Sequence, residues 1–477
     1  MSYETAVASM FALGHELAQT PPHKFDLSHV RVLLQTLSHP ERHFPSVLIA
    51  GTNGKGSTAA TLSSILRASG LKTGLYTSPH LMRINERIRV NGMEISDDDF
   101  AGLHGEVDRC AEQLVERGDL PWHPSFFEMM TSIAFEHFAR EKVEIAVLEV
   151  GMGGRLDATN VVEPLLSVIT DISLDHQKFL GNTVTEIARE KVGIIRPGRV
   201  VVTLPQQPEA NDVIGNAIIE LGARGVSAVP YVPPVSPASD HYIVPETGTV
   251  QSTRTGAPLN APVEAKSAQP AEPTGAGCVY RYPLQVMEKQ ILVETTLVGR
   301  HQLRNVALAI SAAEELSKQG FPAITAKTIE LGIRQTRWPG RFQVIAGHAG
   351  WPEIVLDVAH NPAGAWALRA ALSERYEDRT LIFIFGAMRD KAISEMAEIL
   401  FPLADRVIAT QPENPRSASP EEIQQAARRT GIELDTASDA ASALKRARAI
   451  APPGAIIVIT GSIYLVGEAM RLLEVRL

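Results

Sequence analysis

The chain has 477 residues, with 54 acidic against 45 basic side chains and a net charge of −9. That balance excludes a broadly basic surface made for coating nucleic acid, and the length points to two or three domains. Two cysteines, Cys110 and Cys278, exclude a disulfide framework and a cysteine-based metal site.

Residues 1–18 lack the basic-then-apolar pattern of a signal peptide. No run approaches the roughly 18 apolar residues of a membrane span. A reducing, cytoplasmic setting is therefore expected. Along the chain, apolar β-rich runs alternate with helical patterns. Residues 46–50 read as a buried strand, 57–69 as a helix closed by Gly70, and 73–77, 144–150, 165–170 and 199–203 as further strands. Such alternation predicts an α/β fold, a mostly parallel sheet with helices on both faces.

The stretch 226–277 is rich in Pro, Ala, Ser, Thr and Gly. It holds too little apolar surface for a core, so much of it reads as a mobile insertion. A second alternating series begins after Trp338 and Pro339, with strands over 353–358, 380–385, 406–410 and 455–460. Two domains follow: residues 1–337, carrying the phosphate-loop sheet and the insertion, and residues 338–477, a smaller Rossmann-like α/β unit.

The chemistry concentrates in three places. Gly51-Thr52-Asn53-Gly54-Lys55-Gly56-Ser57-Thr58 follows a strand and opens a helix. Glycines let backbone N–H groups turn in on phosphate oxygens, the helix N-terminus adds positive potential, Lys55 neutralises phosphate charge, and Ser57 can reach a magnesium ion. Gly56 separates Lys55 from Ser57, a departure from the common phosphate loop. Glu149 ends a strand ahead of Gly151-Met152-Gly153-Gly154, where a carboxylate would face the ligand crevice as a hard-oxygen ligand. Asp175-His176 follows another strand, and Lys191 lies near the end of a short helical stretch.

Taken with Tyr76-Thr77-Ser78-Pro79-His80-Leu81, Gly154-Arg155-Leu156-Asp157-Ala158-Thr159-Asn160, Glu190-Lys191-Val192-Gly193-Ile194, Pro339-Gly340-Arg341-Phe342, Asp357-Val358-Ala359-His360-Asn361-Pro362 and Gly461-Ser462-Ile463-Tyr464-Leu465-Val466-Gly467-Glu468, these motifs resemble, in order and number, the folylpolyglutamate synthase and dihydrofolate synthase family of the Mur ligase superfamily. The resemblance covers nearly the whole chain except the insertion. It implies an ATP- and Mg2+-dependent ligase that adds L-glutamate to dihydropteroate or folates through an acyl phosphate, acting as a monomer on small molecules.

The same resemblance assigns roles. Asn53, Gly54, Lys55, Gly56, Ser57, Thr58, Asn305, Arg341 and Asp357 would contact ATP. Ser57, Ser78, Glu149 and His176 would surround two magnesium ions. Lys191 would be carbamylated, and Lys55, Glu149, His176 and Lys191 would form the catalytic set. Asp26, Leu27, Ser28, Phe126, Phe127, Glu128, Leu156, Asp157 and Ala158 would line the pterin side. A cell-wall Mur ligase is the nearest rival, but such enzymes carry a substrate-binding domain ahead of the phosphate loop, where this chain has about fifty residues, fewer than a typical domain.

Overall fold

The computed structural model describes residues 1–14, 26–234, 280–348 and 351–475. Two sheets, each sandwiched between helices, lie side by side. The first is built from β1 (Ser46–Ala50), β2 (Thr73–Tyr76), β3 (Ile88–Val90), β4 (Met93–Glu94), β5 (Ile145–Glu149), β6 (Leu166–Ile169), β7 (Val200–Thr203) and β8 (Arg224–Ser227). Their spatial order is β4-β3-β2-β5-β1-β6-β7-β8. All pairs are parallel except β2–β3 and β3–β4 at one edge.

The central strands are apolar on both faces because both are covered. In β1, Val47 and Ile49 pack under helices Lys55–Ala68, Arg300–Ser317 and Ala326–Gln335, whereas Leu48 and Ala50 face the opposite helical layer. A hairpin, β9 (Tyr280–Val286) and β10 (Lys289–Thr295), leads into the helix Arg300–Ser317.

The second sheet contains β11 (Gln343–Ile345), β12 (Glu353–Leu356), β13 (Leu381–Phe385), β14 (Arg406–Thr410), β15 (Leu434–Ala437) and β16 (Ile456–Thr460), in the order β11-β12-β16-β13-β14-β15. Only β11 runs antiparallel. Again alternate residues feed two cores, Phe383 and Phe385 on one side, Ile382 and Ile384 on the other.

The expected Pro-rich insertion begins later than 226. Val226 and Ser227 belong to β8 and pair with β7, Ala228 is fully buried, and the Tyr231 hydroxyl donates to Glu314 of the helix Arg300–Ser317. Short apolar residues here complete a sheet edge, which composition averaged over fifty residues conceals. Residues 235–277 of that insertion lie outside the described residues. Among the described residues, no helix is long and apolar enough to cross a membrane.

Candidate active site

Ligands of open parallel sheets sit beyond the carboxyl ends of the strands, and here two sets of strand ends face one cavity. In the first sheet β2, β5, β1 and β6 are neighbours. Their last residues and the segments leaving them carry Ser78, Glu149, the phosphate loop and His176. In the second, β12, β16 and β13 are neighbours, and deliver Asp357–Asn361, Ser462 and Lys391. The cavity between them holds about 960 Å³.

The phosphate loop takes its shape from close backbone approaches. Gly54 caps the helix Lys55–Ala68 at φ 89°, in the left-handed region, and a Cβ there would fall 2.2 Å from Asn305 Oδ1. Only glycine meets both demands. The Lys55 ammonium folds back over the loop, donating to the carbonyls of Gly51 and Thr52 at 3.2 Å each. Lys191, buried at the end of the helix Val184–Val192, donates to the same Gly51 carbonyl at 2.7 Å. Burial, and then the neighbouring Lys55 charge, depress the Lys191 ammonium to about 7.

Glu149 is buried and accepts the backbone N–H of Ser78 at 3.2 Å. Burial raises its carboxyl to about 7, against the charges of Lys55, Arg341 and Arg87 and the Ser78 hydrogen bond. His176 adopts φ 50°, the left-handed region, which turns the chain after Asp175. Burial, together with the positive charge of Lys391, lowers its imidazole to about 3 despite the adjacent Asp175. The ring is therefore neutral at physiological pH, the form that binds a cation.

Asp175, Lys391 and Asn361 were not anticipated as a unit. Lys391 Nζ donates to Asp175 Oδ1 at 2.6 Å and lies 3.5 Å from His176 Nε2. Asn361 caps the helix Pro362–Arg375 through its Oδ1, while its amide donates to Asn53 Oδ1 at 3.0 Å and Asp175 Oδ2 at 3.1 Å. Burial alone would raise the Asp175 carboxyl, yet His360, Lys391 and His176 hold it well below the carboxylate range. His360 and Asn361 lay within a noted motif, but nothing in the sequence marks Lys391, in a loop 216 residues from Asp175.

Of the residues expected at the site, all but Ser28 and Thr58 line this cavity. Ser28 instead donates its N–H and hydroxyl to Asp26 at 2.9 and 2.6 Å, and Thr58 is buried in the first turns of the loop helix. On the pterin side, Phe126, Phe127, Leu156 and Ala158 form an apolar arm. The Glu128 carboxylate is engaged by Ser125 in a capping box, and that of Asp157 by Met152 and Thr159. Both acids therefore shape the arm more than they offer free acceptors. Asn305 is held by Gln302 at 2.9 Å. Asp357 accepts the backbone N–H groups of Phe342 and Ala359, which fixes the Arg341 segment against β12.

The donor set also bears on magnesium. Glu149, Ser57 and Ser78 supply hard oxygens. Among the described residues, no three His, Cys, Asp or Glu side chains gather as a metal site. One carboxylate with two hydroxyls is a donor set of the kind magnesium accepts, since it is usually held by one or two carboxylates, water and substrate phosphates.

A phosphate loop on one sheet facing an aspartate- and arginine-bearing wall on another defines an ATP-dependent ligase of the Mur type, and residues 340–463 match the family model described as the Mur ligase glutamate ligase domain. The dihydrofolate synthase/folylpolyglutamate synthase of Bacillus subtilis is 33% identical over 451 residues, 94% of this chain and 95% of the relative. Among solved structures, the Mycobacterium tuberculosis folylpolyglutamate synthase complexed with ADP aligns with a TM-score of 0.79 at 28% identity, covering 99% of both chains. Escherichia coli FolC in complex with DHPP and ADP aligns at 0.78 and 26%, covering 99% of this chain and 98% of that one. The chain belongs to the dihydrofolate synthase/folylpolyglutamate synthase family.

Proposed function

We propose that the chain joins L-glutamate to dihydropteroate, to the γ-carboxylate of folates, or to both, with ATP cleaved to ADP and phosphate. The observation that carries this reading is the shared cavity, lined at once by the phosphate loop, Glu149 and Lys191, by the apolar side chains of Phe126, Phe127 and Leu156, and by Asp357–His360 of the second sheet.

A carboxylate does not condense with an amine at neutral pH, because oxide is too poor a leaving group. Its oxygen first attacks the γ-phosphorus of ATP, and the bond to the β-phosphate oxygen breaks to release ADP. The amine of glutamate then attacks the acyl carbon, phosphate departs, and the nitrogen loses its proton. The first step depends on positioning and charge neutralisation. In this reading the phosphate-loop N–H groups and Lys55 hold the β- and γ-phosphates, while Arg341, Asp357 and Asn305 fix the nucleotide between the sheets. Glu149, Ser57, Ser78 and neutral His176 would hold two magnesium ions, which when bound neutralise phosphate charge. The number two rests on the family resemblance. With its amine depressed to about 7, Lys191 can react with carbon dioxide, and the carbamate would add hard oxygens beside Gly51. Apposed walls exclude water from the acyl phosphate.

We take the two units as residues 1–337 and 338–477, since the last helix of the first ends at Gln335 and β11 begins at Gln343. A monomer working in the cytoplasm completes the proposal. The test is ADP formation with a pteroate-type acid and glutamate, each omitted in turn. Turnover that needs neither acid nor glutamate would overturn the reading, and product formation with each acceptor separately assigns the substrate.

A further inference from the structure

Trp338 occupies the short linker between the helix Ala326–Gln335 and the second sheet. The root of that linker is fixed to the phosphate-loop helix: Ser64 Oγ donates to the Gly332 carbonyl at 2.8 Å, and a Cβ at Gly332 would fall 2.4 Å from Ile65 Cα. From there the indole reaches the phosphate loop itself. A Cβ at Gly56 would stand 2.9 Å from Trp338 Cζ2, 3.2 Å from Trp338 Nε1 and 3.3 Å from Glu149 Oε2. The indole N–H and the Glu149 carboxylate thus flank the same point of the loop. The Arg89 guanidinium covers the ring, 5.8 Å from its centroid.

The indole nitrogen is inaccessible, and among the described residues no acceptor of the chain lies within its reach. A buried N–H without a partner costs free energy. If the position served packing alone, phenylalanine would fill much of it without that cost. The unpaired donor is therefore informative, because it lies beside the acid proposed to serve the metal. Groups just outside a metal's own ligands commonly orient them, and their loss weakens metal binding.

We propose that Trp338 is a positioning residue of the phosphate site, its indole N–H donating to an oxygen in the shell around Glu149 once nucleotide and metal are bound. The proposal rests on the reading that Glu149 serves the metal. It also gives the linker a direct tie to the site, since Arg341 follows three residues later and lines the same cavity.

Trp338→Phe removes the N–H and keeps a ring. The Mg2+ concentration for half-maximal ligation should rise about tenfold in this variant, the lower end of the effect of losing such a group, with KM for the acid substrate unchanged. The quench or shift of tryptophan emission on adding Mg·ADP should lose a component in Trp338→Phe. Trp338→Ala should show the same magnesium effect, but the Phe variant decides if Ala fails to fold. Glu149→Gln runs in parallel. A magnesium shift in Glu149→Gln with none in Trp338→Phe, and an undiminished emission change, would overturn the role of Trp338 alone. No shift in either variant would overturn the metal reading and this proposal with it.

Discussion

Replacing Glu149 with glutamine gives a stability test with a definite sign. In the folded chain burial raises this carboxyl to about 7, well above its ordinary value of 4.5, even with Lys55, Arg341 and Arg87 opposing. The native state therefore favours the protonated form. Between about pH 4.5 and 7 it binds more protons than the unfolded chain, so the contribution of Glu149 to stability is whole below that window and lost as pH rises through it. A displacement of about 2.5 units corresponds to about 3 kcal/mol lost by pH 8, an upper bound for a site that can admit water. Glutamine mimics the neutral acid. In EDTA, wild type and Glu149→Gln should unfold alike near pH 5, and the variant should be the more stable at pH 8. Mg·ADP should then stabilise wild type at pH 8 by more than it stabilises the variant. The assay is a series of urea or thermal unfolding curves from pH 5 to 8, and parallel pH profiles for the two proteins would refute the assignment of a buried carboxylate held in wait for a cation.

Lys55→Ala should fold normally and lose ATP-dependent ligation, since among the described residues its ammonium donates to just two loop carbonyls; near-normal turnover in the folded variant would remove it from the phosphate site. Burial and the Lys55 charge hold the Lys191 amine near 7, so at pH 8 it is mostly neutral where an ordinary lysine is charged. Carbon-13 bicarbonate should therefore give a carbamate signal that Lys191→Ala lacks, and acetate should return part of that variant's activity; no signal in wild type combined with full activity in Lys191→Arg counts against carbamylation. Lys391→Met should leave the buried Asp175 carboxylate with the Asn361 amide and two imidazoles but without its permanent cation, and destabilise the chain by up to about 3 kcal/mol, with partial recovery in the double variant carrying Asp175→Asn; an unchanged unfolding midpoint would show that the ion pair contributes little.

Where periodicity is strong, the fold was legible. The strands expected at 46–50 and 406–410 match β1 and β14 residue for residue, and the other expected strands end within two residues of those observed. The loop helix begins at Lys55, two residues before the expected start, because left-handed Gly54 supplies the cap in place of a side chain. The sequence reading missed β3, β4, β8, β11 and β15 and the β9–β10 hairpin. Five of these are two to four residues long, too short for a periodic signal, and β9 carries Pro283 within the strand beside a Pro-rich stretch.

At the site, motif residues announced themselves through spacing and chemistry. Their state did not. That Lys191 is buried against Gly51, that Asp175 meets Lys391, and that the Trp338 indole covers Gly56 all depend on groups brought together from distant parts of the chain. No local pattern encodes them.

The two walls of the cleft are joined by contacts of different kinds. Some are apolar packing: Val298 and Leu303, from the helix Arg300–Ser317 and its approach, join one core of the second sheet, and Leu81 packs against Gly340 and the opposite core. Others, those of Asn53 and Asp175 with Asn361 and Lys391, are hydrogen bonds and an ion pair. Parting the apolar contacts would expose hydrocarbon, at roughly 25 cal/mol for each Å². Parting the polar contacts exchanges protein partners for water at little net cost. The seam between the two sheets is thus part grease and part brine, and added salt, which screens charges as they become exposed, should loosen the polar contacts while leaving the apolar ones intact.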